Sequence, residues 1–459
     1  MGIQELILLD INNYVQDFSV SKEIRYKYGE IITPFSLIQK MFNLFDPCEF
    51  KNKDAKWLDI GTGCGYFSIF LFKCLFNGLA EIILDEEERA NHIITNMIYM
   101  CEIQEENINI LINLFGNKCN ILQGDFLSID IDIKWSFDYV IGNPPYNNNG
   151  LKKVPSNKES NKKNDGDTIW VLFIQKSISY LKYNGKLNVI IPSIWLKKDK
   201  AKMNNFMFQY KIEKLHCMNN TETNKVFNKY AQTPTCYFVL TKIPNLGSIS
   251  VYDNDINSYI EWNTLTCVPV FGCSILKKIN RYLNDTNKLQ VLKTNLPNKG
   301  CIINGDLTTE FIYPNIKTCI LDKLSPVLVI EYSNISTNYY NIPKLIMAHK
   351  MYGFPFIDIS GKYGISNRDN YVIIDKSLKE LEQLKAFFST KLALYLFEAT
   401  RYRMKYLEKY IFELIPDITK LCDFPDKINE NSINDYFKLT SLEIDNINKL
   451  HSKKYTFFT

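Results

Sequence analysis

The chain has no CxxC pair, although twelve cysteines are spread through its 459 residues. Cys101, Cys236 and Cys319 sit singly inside apolar segments, as reduced core thiols do, so neither a disulfide framework nor a zinc site is expected. No apolar run approaches the roughly 18 residues that a membrane-spanning helix requires. The opening MGIQELILLDINNYVQ has acids at Glu5 and Asp10, no basic start and no small-residue cleavage site, which argues against a secretory signal; Leu6 argues against myristoylation. Charge of one sign is also scarce. A net charge of +4 leaves any polyanion to be met by local patches rather than by overall attraction. Histidine is rare, with only His92, His216, His349 and His451, none of them near the motifs described below. A soluble, intracellular chain is expected, with no membrane partner and no metal.

What the chain does have is enough apolar residue, 46%, to bury two cores, since a single core seldom grows past about 250 to 300 residues. Its first half alternates apolar strands with amphipathic stretches, the pattern of an α/β sheet. Strands are expected at Ala55 to Ile60, Met97 to Ile103, Cys119 to Gln123, Phe137 to Ile141, Leu187 to Ile191 and Thr235 to Thr241. A soft boundary near residues 242 to 260 separates this half from a less regular one. There, strand-like runs (Val327 to Tyr332, Lys344 to Ala348, Tyr371 to Ile374) precede a helical segment from about Leu378 to Phe412. The domains are accordingly set at 1–245 and 246–459. Asn147 to Asp167 is polar, contains five lysines and lacks an apolar period, so it is expected to be a mobile loop.

Three segments carry chemistry. In the first, the strand Trp57-Leu-Asp59-Ile runs into Gly61, Gly63 and Gly65 ahead of an apolar helix start. Glycines there let the backbone turn sharply and approach a ligand, although a plain tight turn has the same composition. In the second, acids lie at strand ends, where open α/β sheets bind ligands. Glu102 closes one strand and suits ribose hydroxyls, with Asp85 as a rival; Asp125, followed by Phe126, suits an adenine amino group. The distance from Gly61 to Glu102 is about twice the usual ~20 residues, so a helix from Glu86 to Thr95 is expected between them.

In the third, the strand Phe137 to Gly142 stops in Asn143-Pro144-Pro145-Tyr146. An exocyclic amine is a poor nucleophile because its lone pair is delocalised into the ring, so it needs acceptors that draw it towards tetrahedral geometry. The Asn143 amide oxygen and the Pro144 carbonyl can supply two, and Tyr146 a flat face for the base.

With these residues in order, the chain resembles the gamma-class N6-adenine DNA methyltransferases, class I S-adenosylmethionine enzymes of the restriction-modification type, over roughly residues 25 to 242. Tyr28-Gly-Glu-Ile-Ile-Thr33-Pro34-Phe35 resembles the family's cofactor segment, and its place before the glycine motif and NPPY is the gamma order. The resemblance implies a Rossmann-like sheet with helices on both faces, followed by a mixed α+β target-recognition domain. It assigns Thr33, Pro34, Asp59, Gly61, Gly63, Gly65, Glu102, Asp125 and Phe126 to S-adenosyl-L-methionine and Asn143, Pro144, Pro145 and Tyr146 to catalysis. Phe227 is either a support for a flipped base or a core residue.

Double-stranded DNA is the expected partner, and a separate cognate restriction endonuclease is compatible with the family. A fused nuclease is not expected, because only about 25 residues precede the cofactor segment and no nuclease-like carboxylate and lysine cluster stands out. Lys152 and Lys153 in the polar loop either meet DNA phosphates or belong to a solvated spacer. Arg401, Arg403 and Lys405 lie in a stretch whose spacing puts Arg401, Lys405 and Lys409 on one helical face; it is either a DNA-contacting helix or a tyrosine stripe packed into the core. Protein glutamine and RNA adenine N-methyltransferases remain alternatives, because NPPY also serves amide nitrogens; a length of about 200 residues beyond the catalytic segment favours DNA.

Overall fold

The computed structural model describes residues 3–11, 20–130, 136–146, 168–198, 202–231, 233–263, 267–322, 325–350, 353–403 and 406–450. The chain divides into two compact units, Met1–Tyr252 with Glu261–Thr266, and Asp253–Ile260 with Cys267–Thr459. Among the described residues no helix is long and apolar enough to cross a membrane.

In the first unit the apolar runs become β1 (Trp57–Ile60), β2 (Ile98–Glu102), β3 (Asn120–Gln123), β4 (Phe137–Gly142), β5 (Leu181–Pro192), β6 (Tyr210–Met218) and β7 (Thr235–Pro244). With β8 (Ile249–Asp253) and β9 (Ser258–Trp262) they form one sheet in the order β3-β2-β1-β4-β5-β7-β6-β8-β9, and the division between the two units falls within those last two strands. Strands β1 to β5 pair in parallel, whereas β7 runs antiparallel to both β5 and β6. Every residue of β1 and β2 is buried, as expected for parallel strands covered on both faces. This is the expected α/β class. The sequence reading missed β6, and β5 begins earlier than expected, at Leu181. Between β1 and β2 the expected helix forms as Glu86–His92 and continues as a π turn, Ile93–Met97.

The strand order reverses between β1 and β4, which leaves a crevice at their carboxyl ends. Aromatic packing fixes the two strands against each other. Trp57 of β1 stacks on Tyr139 of β4 with ring centroids 3.7 Å apart, and Phe45 and Phe50 close round the pair. Asp59 therefore lies in register with Ile141, and the glycine turn leaves the sheet beside the Asn-Pro-Pro turn.

The second unit holds two four-stranded sheets. Its strands are β10 (Leu292–Lys293), β11 (Ile303–Asn304), β12 (Tyr313–Asp322), β13 (Ser325–Ser333), β14 (Lys344–Ala348), β15 (Phe356–Asp358), β16 (Gly364–Ile365) and β17 (Asn370–Ile373). They are arranged as β10-β17-β14-β15 and β11-β13-β12-β16.

The expected helix from Leu378 to Phe412 is instead two helices, Leu378–Phe388 and Lys391–Ala399, the second capped by Thr390. It ends where the Thr400 hydroxyl donates back to the Leu396 and Phe397 carbonyls. The described residues from Thr400 to Glu408 are irregular, a 3-10 turn follows at Lys409–Glu413, and the helices Glu430–Tyr436 and Ser441–Lys449 lie farther along the chain. Tyr402 is fully buried with its hydroxyl on the Val268 carbonyl, and Tyr406 bridges to Lys350. Arg401, which pairs with Glu398 at 2.9 Å, and Lys409, which opens the 3-10 turn, therefore do not share the face of one helix. Lys405, Lys152, Lys153 and the loop from Asn147 to Asp167 lie outside the described residues.

Candidate active site

The crevice at the β1/β4 reversal opens into a cleft enclosing about 1200 Å³ of space, part of it open solvent. Its walls bring together Thr33, Gly61, Gly63, Glu102, Asp125, Phe126, Asn143, Pro144, Pro145, Tyr146 and Phe227, all singled out in the sequence. Pro34, Asp59 and Gly65 stand behind the wall. Pro34 caps the helix Phe35–Phe42 with extended backbone, and Gly65 opens the helix Tyr66–Gly78 at a φ of +88°. A Cβ on Gly65 would lie 2.8 Å from Leu111 Cδ2, so only glycine lets the turn sit so close to the helix Glu105–Phe115. Asp85, the rival of Glu102, caps the helix Glu86–His92 through Glu88 N and does not line the cleft.

The glycine turn is tied down by its own surroundings. Thr62 N donates to the Cys101 carbonyl, Gly65 N to the Thr62 carbonyl, and Gly63 N to Glu102 Oε2 at 2.7 Å. Glu102 Oε1 accepts from Ile103 N and Gln104 N. Burial raises the Glu102 carboxyl above its ordinary value, while the N–H groups of Gln104 and Gly63 pull it back. With those N–H groups engaged, the turn is not a free phosphate cradle of the kind that holds dinucleotides. The cleft wall instead carries Glu30, Glu102 and Asp125 and no lysine, arginine or histidine among the described residues. Such a wall suits a cationic ligand bearing hydroxyl and amino groups. Glu30 was not singled out in the sequence. Its carboxylate accepts from Gln104 Nε2 at 2.6 Å, and its Oε1 lies 3.2 Å from where a Cβ on Gly63 would sit.

Phe126 is buried and stacks on Phe173 with centroids 5.1 Å apart, giving the cleft a flat apolar end. Asp125 beside it accepts from Leu127 N and the Ser128 hydroxyl, which fixes the carboxylate at the strand end. Tyr66, also missed in the sequence, lines the cleft and stacks on Phe35 at 4.6 Å.

At the other end, Asn143 Nδ2 donates to Thr33 Oγ1 at 3.0 Å. That bond orients the amide and leaves Asn143 Oδ1 buried with no hydrogen-bond partner among the described residues. An unsatisfied buried acceptor costs about 1 to 3 kcal/mol, so a donor is missing at this place. Tyr146 is anchored by its hydroxyl to the Ile190 carbonyl at 3.2 Å, and burial pushes its phenol well above the usual value. Phe227 ends the helix Asn220–Val226, and it both packs in the core and lines the cleft.

Beneath the turn, Asp59 Oδ2 accepts from the Ser68 hydroxyl at 2.7 Å, while its Oδ1 is buried and unpaired. Burial pushes this carboxyl from 3.8 up to about 7; the Ser68 bond opposes the rise and the Glu102 carboxylate adds to it. The folded chain thus holds this proton more tightly than the unfolded one. Its contribution to stability is complete below about pH 3.8 and is lost as the pH rises to about 7, at up to about 1.4 kcal/mol per pH unit. Denaturation from about pH 5 to about pH 8 is expected to show this fall in the parent and not in Asp59→Asn; parallel curves would refute it.

Residues 33–227 match the family described as Eco57I restriction-modification methylase, which bears out the resemblance read from the sequence. The type II methyltransferase M.AccI of Acinetobacter calcoaceticus is 31% identical over 207 residues, 42% of this chain and 34% of that protein. The type II restriction enzyme and methyltransferase RM.Eco57I of Escherichia coli is 27% identical over 235 residues, 45% of this chain and 23% of that protein. The chain thus spans well under half the length of either relative. Among solved structures, the EcoKI M protein of a type I restriction enzyme is 19% identical, with a TM-score of 0.37 over 50% of this chain and 48% of that one.

Proposed function

We propose that this chain transfers a methyl group from S-adenosylmethionine to N6 of an adenine in double-stranded DNA. The observation that carries the reading is the buried, unpaired Oδ1 of Asn143, held at the cleft by Thr33 beside an acidic wall. S-adenosylmethionine would supply an electrophilic methyl group on a sulfonium. Thr33, Glu102, Asp125 and Phe126 would hold that cofactor, with Glu30 as an added acceptor for its cationic end, while Asp59, Gly61, Gly63 and Gly65 shape the turn. None of the N–H groups accounted for in that turn is needed for a phosphate, which agrees with a cofactor that has none.

The target adenine has to leave the base stack, at a cost of a few kcal/mol that pocket contacts return. Tyr146 and Phe227 would support the ring, the Asn143 Oδ1 and Pro144 carbonyl would accept hydrogen bonds from the amino group, and the one proton that N6 loses on methylation would pass to water. Those acceptors raise electron density at N6 and fix its lone pair for attack. The second unit would supply target recognition, with Arg401, Arg403 and Lys405 as candidate contacts to DNA and Lys152 and Lys153, which follow the catalytic turn in sequence, as further ones. A separate cognate endonuclease fits the same reading.

The test is incubation with unmethylated DNA and methyl-labelled S-adenosylmethionine, followed by nucleoside analysis. N6-methyladenine supports the proposal; label confined to RNA or to protein glutamine would redirect it. Thr33→Val leaves Asn143 Nδ2 without its acceptor, so turnover is expected to fall on the order of 10-fold, with Thr33→Ser close to the parent. Equal turnover in Val and Ser variants would remove Thr33 from the catalytic arrangement.

A further inference from the structure

A second polar cluster lies within the second unit. Lys293 of β10 sits over the Tyr371 ring, with Nζ 4.5 Å from the centroid, and that Nζ is buried with no hydrogen-bond acceptor among the described residues. His349 Nδ1 is also buried without a hydrogen bond; the nearby Asp369 Oδ1 is 3.9 Å away. Arg403 Nε repeats the pattern, 3.6 Å from Glu408 Oε1. Both carboxylates stand beyond hydrogen-bonding distance; burial lowers His349 to about 4 and keeps its ring neutral, while Glu408 attracts the Arg403 cation without satisfying Nε.

The scaffold beneath is firmly paired. Lys293 faces Tyr371 across the β10/β17 ladder, and β17 pairs in turn with β14, which leads into His349. His349 N donates to the Asp369 carbonyl at 2.8 Å, its ring stacks on Tyr406, and its carbonyl accepts from Leu407 N. Tyr371 is buried and donates to the Leu407 carbonyl at 2.9 Å. The cluster is therefore built on backbone ladders rather than on free side chains.

A buried ammonium without an acceptor costs several kcal/mol, and three unsatisfied nitrogens in one cluster mark the place of an absent anion. Burial lowers the Lys293 ammonium to about 8, so it is still mostly charged near neutrality; the Asp369 and Glu408 carboxylates hold it up, and Arg368 and Arg403 push it down. A tetrahedral oxyanion offers acceptors in several directions at once, which suits donors that approach from separate segments of the chain better than a planar carboxylate would. We infer that Lys293, His349 and Arg403 form a phosphate-binding site in the second unit, for a phosphate of the DNA backbone or for free phosphate. The DNA source rests on the methyltransferase reading; the site itself does not.

The test uses the full chain and Lys293→Met, which keeps an unbranched apolar stem over Tyr371, with Arg403→Gln as a second variant. Binding of a labelled DNA duplex is measured across salt concentrations, and inorganic phosphate is titrated calorimetrically. Loss of one DNA phosphate contact is expected to reduce the slope of log K against log salt by about 1 in magnitude. Loss of the inorganic phosphate signal with an unchanged DNA slope would assign the site to free phosphate. Because Lys293→Met removes an unsatisfied charge, its melting temperature is expected to match or exceed the parent's. Variants equal to the parent in both titrations would overturn the site. If the parent binds no DNA, the methyltransferase reading fails, while the phosphate titration still decides this inference.

Discussion

Asn143→Ala is expected to lower turnover by roughly 10²- to 10³-fold while leaving the affinity for S-adenosylmethionine within a few-fold of the parent. The asymmetry follows from where the side chain sits. Asn143 Nδ2 is held by Thr33, so Oδ1 is the free acceptor at the catalytic end of the cleft, whereas Glu102, Asp125 and Phe126 stand on other strand ends. Alanine removes the acceptor that draws density onto the amine and leaves the proposed cofactor wall in place. Asn143→Asp separates the two halves of the amide: it restores an acceptor but cannot donate to Thr33, so it is expected to recover only part of the lost rate. Single-turnover rates with labelled cofactor, alongside equilibrium binding, measure both quantities. Equal losses in binding and rate would place Asn143 in cofactor binding instead of chemistry.

Much of this site was legible because it lies at strand ends. Glycine and proline punctuate the sequence where β1 and β4 stop, and an acid marks the end of β2, so Gly61, Asn143 and Glu102 could be read without coordinates. What no local pattern carries is pairing over long distance. Glu30 meets Gln104 across 74 residues, and Tyr66 stacks on Phe35 across the turn; neither partner has a sequence feature that names the other. Strand β6 escaped because lysines and a glutamate interrupt its apolar run, Lys211, Glu213 and Lys214, and two of them engage charged partners.

The second half was less legible for a different reason. The spacing of Arg401, Lys405 and Lys409 imitates a helix face, yet the adjoining Tyr402 is fully buried with its hydroxyl bonded to the Val268 carbonyl, and the backbone there is not helical. Tertiary packing overrode periodicity there. The same segment nevertheless delivers Arg403 to the Lys293 cluster, so a residue chosen on a wrong secondary structure still enters the inferred phosphate site.

The coupling between sheet and chemistry is sharpest at Gly142, the last residue of β4. Its φ is +142°, and a Cβ there would lie 2.8 Å from the Ile60 carbonyl oxygen and 3.3 Å from Asp59 Oδ1. The first obstacle is backbone of β1, which cannot swing aside as a side-chain tip can. Backbone strain of about 1 to 3 kcal/mol adds to an overpacking cost of similar size, so Gly142→Ala is expected to destabilise the fold by about 2 to 5 kcal/mol. Relief requires β1 and β4 to part at their carboxyl ends, which moves Asn143 relative to the glycine turn. A displacement near 1 Å is enough to cost on the order of 10²-fold in rate. Gly116 supplies the control, since it also has positive φ, +82°, but no atom within 4 Å of its would-be Cβ. Gly116→Ala should therefore lose stability from backbone strain alone and keep its turnover. Denaturant unfolding with single-turnover assays on both variants decides the matter: a Gly142→Ala protein that turns over like Gly116→Ala would mean that the β1/β4 junction does not set the position of Asn143.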